Sequence, residues 1–184
     1  MADNTPSASS SAPVAVRLPS YTRTEQQSIL GDGADPFGVA GTGLSWRGKD
    51  EHFGVLLGER LVAHAGLVAL DTTVGEVATP VIGVGGVAVA PDVRGRGLAR
   101  LVLDAALAHA RTMGSPPARH ALLFCRPPLV PMYRRLGWHP LDTDVLVEQP
   151  EARVVTMPLA TMVMPLREGA SWPAGPVRLL SLPM

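Results

Sequence analysis

The stretch Val87-Ala-Val-Ala-Pro-Asp-Val-Arg-Gly-Arg-Gly-Leu-Ala99 decides the fold. It starts as a short β-type run, Val87-Ala88-Val89, and Pro91 with Asp92 then supplies turn chemistry. From Leu98 the apolar positions recur at 98, 101, 102, 105 and 108, the period of one helix face that stops near Met113-Gly114. A strand that turns through glycines into a helix makes several backbone N–H groups converge with the positive end of the helix dipole. That arrangement binds phosphate. Gly95 and Gly97 remove side chains where a ligand would touch backbone, and Arg94 and Arg96 add charge-assisted donors.

Three phosphate-loop patterns compete for this segment. A P-loop needs G-x-x-x-x-G-K-[ST], and no Lys or Ser/Thr follows Gly97. A dinucleotide fingerprint needs a third small residue where Arg100 stands, and an acidic residue ~20 positions on, where Ser115-Pro-Pro-Ala-Arg-His-Ala-Leu-Leu-Phe124 has none. The pattern R/Q-x-x-G-x-G/A is matched in full by Arg94-Gly95-Arg96-Gly97-Leu98-Ala99. A glycine turn ahead of a helix, with no ligand at all, stays open as the plain alternative.

A second block follows in order: Leu122-Leu-Phe-Cys-Arg-Pro-Pro-Leu-Val-Pro-Met-Tyr-Arg-Arg-Leu-Gly-Trp138 reads as strand, short helix and an aromatic-x-x-x-Gly-aromatic end. Pro127, Pro128 and Pro131 suit a helix start, where N–H groups have no intrahelical acceptor to lose. With the loop before it, this block resembles the GCN5-related N-acetyltransferase (GNAT) family over residues 78 to 140. The resemblance implies an α/β fold with a GNAT-like mixed, mostly antiparallel central sheet flanked by helices, and a V-shaped cofactor cleft. It implies acetyl-CoA as acyl donor, its pantetheine beside Val87, Ala88 and Val89 and its pyrophosphate on the Arg94, Gly95, Arg96, Gly97, Leu98 and Ala99 loop.

A narrower similarity rests on Ser45-Trp46, on Val62-Ala-His-Ala-Gly66 and on Trp172-Pro-Ala-Gly175, which look like aminoglycoside 2'-N-acetyltransferases. The first two also resemble nodulation acyltransferases that act on an amino sugar. The implied reaction is acetyl transfer to a primary amine of a small molecule by direct attack in a ternary complex, with Tyr133 protonating the departing thiolate. An acyl-CoA-binding regulatory module with little catalysis is the alternative. The relatives carry a carboxylate two residues before the Val-Ala-Val strand, where this sequence has Gly85. His64 is therefore the expected general base, because imidazole titrates near working pH, with a satisfied core histidine as the plainer reading. Asp71, Glu76, Asp144, the terminal carboxylate of Met184 and water relays stand behind it. The acceptor side is placed on Trp46, Gly85 and Glu76. Arg134 and Arg135 either touch the adenosine 3'-phosphate or form a solvated face.

Outward from these blocks, residues 1–12 read as a disordered tail and 13–184 as one domain. Val14 to Pro19 reads as a short strand, and Thr22-x-x-Glu25 as a capping box at a helix start. Gly31 to Glu51 reads as glycine-rich loop, and its Gly31 to Gly48 part is expected to line the acceptor pocket. His52–Gly58 and Arg60–Leu70 form a hairpin about Gly58-Glu59. Gly83, Gly85 and Gly86 signal a bulge or a close backbone approach in the strand before the loop. Ala121–Cys125, Ala152–Leu159 and Ala160–Leu166 read as later strands, followed by a Pro/Gly-rich tail.

The length, 184 residues, suits a single core. Sixteen basic against sixteen acidic residues leave no field to gather nucleic acid or an anionic membrane, and aromatics at 4% leave no base-stacking platform. No apolar run approaches the ~20 residues of a bilayer span. Cys125 is the only cysteine, which excludes an internal disulfide and fits a reducing, cytoplasmic setting. The five histidines show no metal-ligand spacing, so no metal is expected. A homodimer stays open. Lys49 is the only lysine.

Overall fold

The computed structural model describes residues 12–33 and 35–184, so the tail expected over 1–12 lies almost wholly outside the described residues. In chain order the strands and helices are β1 (Val14–Leu18), α1 (Arg23–Leu30), β2 (Glu51–Leu57), β3 (Arg60–Leu70), β4 (Thr72–Val74), β5 (Val77–Ala78) and β6 (Val81–Val89). They continue with α2 (Leu98–Ala110), β7 (His120–Cys125), α3 (Val130–Arg135), β8 (His139–Pro140), β9 (Val145–Gln149), β10 (Arg153–Thr156), β11 (Ala160–Pro165) and β12 (Val177–Leu179).

Local chemistry accounts for the boundaries. Thr22 accepts from the Glu25 N–H at 3.2 Å while the Glu25 carboxylate accepts from the Thr22 N–H at 2.6 Å, closing the expected capping box on α1. Gly58, in the left-handed region at φ 63°, turns β2 into β3. Helix α2 starts after left-handed Gly97 and buries Leu98, Val102, Leu103, Ala106, Leu107 and Ala110. The buried face is therefore centred on 102, 103 and 106, and Ala108, assigned to it by periodicity, is exposed. Leu103 is fully enclosed, and its truncation to Ala costs about 2–5 kcal/mol.

Among the described residues the strands form two sheets. The larger has the order β1-β2-β3-β6-β7-β11-β8, all pairs antiparallel except β6 with β7. This is the mixed, mostly antiparallel sheet that the sequence implied. A second sheet, β10-β9-β12-β4-β5, is the addition. One core lies where α1 and α2 cover the larger sheet; the other holds Val68, Leu70, Leu122, Val145, Val147 and Val177 between the two sheets.

Two features of β6 position the site. Its pairing with β7 covers only Val81–Gly83 against His120–Leu122, and beyond that the strands part while each keeps its other neighbour. The result is a V-shaped cleft with unpaired backbone along its β6 wall. Gly86 and Val87 also lie opposite the single residue Ala65 of β3, a bulge in which Gly86 takes φ 61°. The glycine signal in this strand thus corresponds to a bulge at Gly86 and, at Gly83 and Gly85, to close approach by neighbouring side chains.

Candidate active site

The cleft holds two connected cavities. One, of about 670 Å³, runs along Val87–Val89, the Arg94–Arg100 segment and the α3 side from Met132 to Leu136. The other, of about 270 Å³, is bounded by Trp46, Lys49, Gly85, Phe124, Leu159 and Met184. They share Phe37, Val87, Arg126, Leu129 and Tyr133, so the junction lies at Tyr133.

One side of the larger cavity is the Gly95–Ala99 loop, and the other is formed by α3 with Leu30, Phe37 and Leu129. Gly95 and Gly97 adopt φ 79° and 78°, and a Cβ on either would meet nothing within 4 Å, which leaves open space over the loop. No side chain caps α2, so its first N–H groups remain free for an anion. The Pro91–Val93 turn before the loop is braced by Arg60, whose guanidinium donates to both Asp92 carboxylate oxygens at 2.6 and 2.9 Å. Arg94 donates to the Val89 carbonyl at 3.1 Å and ties the loop to its strand. Arg96 is exposed and does not line the cavity; Arg100 and Arg135 do, and they were not both anticipated. Arg100 donates to the Arg135 carbonyl at 3.1 Å, so α2 and α3 close together around one end of the groove.

Tyr133, buried in α3, packs edge-on to Trp138 at 6.2 Å. Burial first, and the neighbouring Cys125 second, push its hydroxyl above the ordinary tyrosine range, so it stays a proton donor at neutral pH. Cys125 faces the smaller cavity with a thiol pushed up to about 11 by burial and lies 3.8 Å from the Met162 sulfur.

The acceptor-side residues divide. Trp46 and Gly85 line the smaller cavity, whereas Glu76 sits exposed in the turn between β4 and β5, outside either cavity. Asp71 and Asp144 are likewise exposed and away from the lining. His64 is fully buried and lines neither cavity. Its Nδ1 lies 2.8 Å from the Gly86 carbonyl, which can only accept, so Nδ1 carries the proton and Nε2 accepts from His52 Nδ1 at 3.1 Å. Tyr21 stacks on the ring at 3.5 Å. Burial lowers the His64 pKa to about 4, against a smaller opposing effect of its bond to Gly86. In this seat His64 pins the bulge, and a base role would require it to leave both partners.

The segment from Gly31 to Gly48 contributes Phe37, Val39 and Trp46 to the smaller cavity, as its glycine content suggested. It is held from three sides. The Asp35 carboxylate accepts from the Val39 and Ala40 N–H groups at 2.8 and 2.9 Å, bonds that hold it below the usual carboxylate range. Gln149 of β9 accepts from the Ser45 N–H at 2.8 Å, and Arg47 N–H donates to the Pro183 carbonyl at 2.8 Å.

Lys49 is the residue that sequence reasoning missed. It supplies an amine to the smaller cavity, where the one carboxyl group among the described lining residues is that of Met184, whose carbon lies 3.2 Å from where a Gly85 Cβ would be. The available signal was its uniqueness: one lysine among sixteen basic residues, immediately before β2.

A split mixed sheet with a glycine loop feeding a helix at the split defines the α/β class of the protein. The family model described as an acetyltransferase (GNAT) domain matches residues 45–141, and the chain belongs to that family. Acyl transfer is the class of activity the family brings. Solved structures agree in fold. A GNAT family N-acetyltransferase (YhbS) from Escherichia coli, in complex with CoA, is 16% identical with TM-score 0.55, covering 91% of this chain and 89% of its own. The Bacillus subtilis N-acetyltransferase YlbP, in complex with coenzyme A, is 13% identical with TM-score 0.52, covering 84% and 97%. A GCN5-related N-acetyltransferase from Kribbella flavida is 24% identical with TM-score 0.49; the match covers 70% of this chain, which spans 34% of that protein. No curated protein matches significantly. Among the described residues no helix is long and apolar enough to cross a membrane.

Proposed function

We propose that the chain transfers the acetyl group of acetyl-CoA to a primary amine of a small molecule. The observation that carries this reading is the meeting of the two cavities at Tyr133, one open over the Gly95–Ala99 loop and one facing Trp46 and Gly85. In this reading the loop N–H groups and α2 take the pyrophosphate, with Arg94, Arg100 and Arg135 beside it. The unpaired β6 edge takes the pantetheine amides as an added strand would. A backbone N–H near Val89 polarises the thioester carbonyl as charge gathers on its oxygen. The amine attacks directly, and Tyr133 gives its proton to the departing thiolate.

The acceptor is small. A cavity of about 270 Å³ lies just below the ~300–1,000 Å³ of sites for drug-sized ligands and suits a monosaccharide better than a multi-ring antibiotic. An amino sugar is the acceptor class implied by the Ser45-Trp46 and Val62–Gly66 similarities. Lys49 and Arg126 in the same lining disfavour a polycationic aminoglycoside. The Met184 carboxyl group beside Gly85 is a candidate base for the enzyme reading, and the absence of a carboxylate side chain among the described lining residues favours the second, an acyl-CoA-binding module with little catalysis.

Thermal denaturation with ligands tests the cofactor assignment. Acetyl-CoA raises Tm through linkage, whereas NAD and ATP do not. Stabilisation by NAD and not by acetyl-CoA would overturn it. CoA release across amino sugars, amino acids, polyamines and aminoglycosides then separates enzyme from binding module, since silence over the panel with tight acetyl-CoA binding selects the module.

A further inference from the structure

Gly66 of β3 and Gly85 of β6 are partners across the sheet. With no side chain on either, the pair opens a channel over the sheet face, and the stem of Lys49 lies in it. A Cβ on Gly66 would stand 2.6 Å from Lys49 Cγ, and one on Gly85 would stand 2.7 Å from Lys49 Cε. The channel carries Nζ to within 3.3 Å of where a Gly85 Cβ would be, in the wall of the cavity that also holds Val87 and Tyr133. Burial lowers the pKa of the amine, and the Met184 carboxyl group stands beside it, its carbon 3.2 Å from the same Gly85 Cβ position. The free-base form of this amine is the one that attacks an acyl group.

We propose that Lys49 is an acetylation site inside the chain's own cleft, modified by acetyl-CoA bound to the same molecule. The inference rests on the acetyl-CoA reading above. The neutral Nζ attacks the thioester carbonyl carbon, an N–C bond forms and the C–S bond breaks. The CoA sulfur takes the Tyr133 proton, Tyr133 is reprotonated from solvent, and the proton shed by the new amide goes to solvent. Net, the lysine amine and acetyl-CoA give acetyl-lysine and CoA thiol. Holding both reactants in one cleft supplies the proximity that sets this site apart from chemical acylation of an exposed lysine. The product removes a charge and adds an acyl group to the small cavity, so the modified chain is closed to acceptor amines.

The full chain incubated with acetyl-CoA and no acceptor tests the proposal by intact mass and by mapping the 48–60 peptide released on cleavage after arginine. One acetyl group per chain appears on Lys49, at a rate that saturates with acetyl-CoA. The rate falls about 100-fold in Tyr133→Phe, the scale of a lost general acid. Lys49→Arg takes no acetyl group by intact mass, while acetyl-CoA still raises its Tm, which shows a folded protein with a working cofactor groove. An unmodified Lys49 in a chain that acetyl-CoA stabilises overturns the proposal. So does labelling that rises linearly with acetyl-CoA and is equally fast in Tyr133→Phe. A chain that acetyl-CoA does not stabilise overturns the cofactor reading itself, and this inference with it.

Discussion

The two halves of the cleft are built in different ways. The half proposed to hold the cofactor has a local wall, in which one strand end, one glycine loop and one helix start lie within thirteen consecutive residues and offer main-chain N–H groups at fixed φ, while α3 and the early loop close the other side. The half proposed to take the acceptor is assembled wholly from distant pieces: Trp46 and Lys49 from the early loop, Gly85 from β6, Phe124 from β7, Leu159 from before β11, and Met184. Backbone-made sites tolerate little at a few glycines. Side-chain-made sites tolerate more at any one position but depend on the register of several elements.

The largest effect is expected where backbone does the binding. Gly97→Val places a β-branched residue at φ 78° and a side chain in the space over the loop; acetyl-CoA affinity falls at least about 100-fold, roughly 2.7 kcal/mol. Calorimetric titration measures it, and a fall under threefold would mean that the loop is not the cofactor's cradle. At the junction, Tyr133→Phe lowers kcat about 100-fold or more while acetyl-CoA affinity changes less than about twofold. Equal losses in binding and turnover would make Tyr133 a packing residue.

On the acceptor side the expected effects are smaller and coupled. Gly66→Ala meets the root of the Lys49 stem and lowers stability by about 1–3 kcal/mol, the range for overpacking. In a Lys49→Ala background the cost drops by about 1 kcal/mol or more, a coupling that urea denaturation of the four proteins detects. Additive losses would show that the glycine pair does not exist for Lys49. A further effect is in pH. His64 titrates near 4 when folded and at about 6.5 when unfolded, so between those values the unfolded chain binds the extra proton. Stability is therefore full above pH ~6.5 and declines as pH falls toward 4. His64→Gln flattens that slope; an unchanged slope would place the acid sensitivity elsewhere.

The cofactor half was legible in sequence because its information is local. Arg94-Gly95-Arg96-Gly97-Leu98-Ala99 specifies its own geometry, and Thr22, Gly58 and Gly137 mark their elements' ends without help from distant residues. Of the second sheet only β10 was legible, inside the strand read over Ala152–Leu159. β12 is three residues inside a Pro/Gly-rich tail, and β4 with β5 is a hairpin too short to show a period. Those strands are set by pairing, as of Val177 with Val74 and Val145, which no local pattern announces. The acceptor cavity fails for the same reason. Gly85 read as a missing carboxylate, whereas the structure shows it as half of a channel whose other half, Gly66, is nineteen residues away and whose occupant, Lys49, comes from a third element. His64 looked available from its residue type; only the three-dimensional contacts with Gly86, His52 and Tyr21 show that its ring is engaged.

The central claim is that acetyl-CoA lies along the β6 edge with its pyrophosphate on the Gly95–Ala99 loop. Amide ¹⁵N chemical shifts recorded while acetyl-CoA is added test it most directly. The account predicts the largest shifts at Val87–Val89 and Gly95–Ala99, with Glu76 and the rest of the β4–β5 turn unmoved. Saturating shifts centred elsewhere, or an unchanged loop in a protein that binds acetyl-CoA, would contradict it.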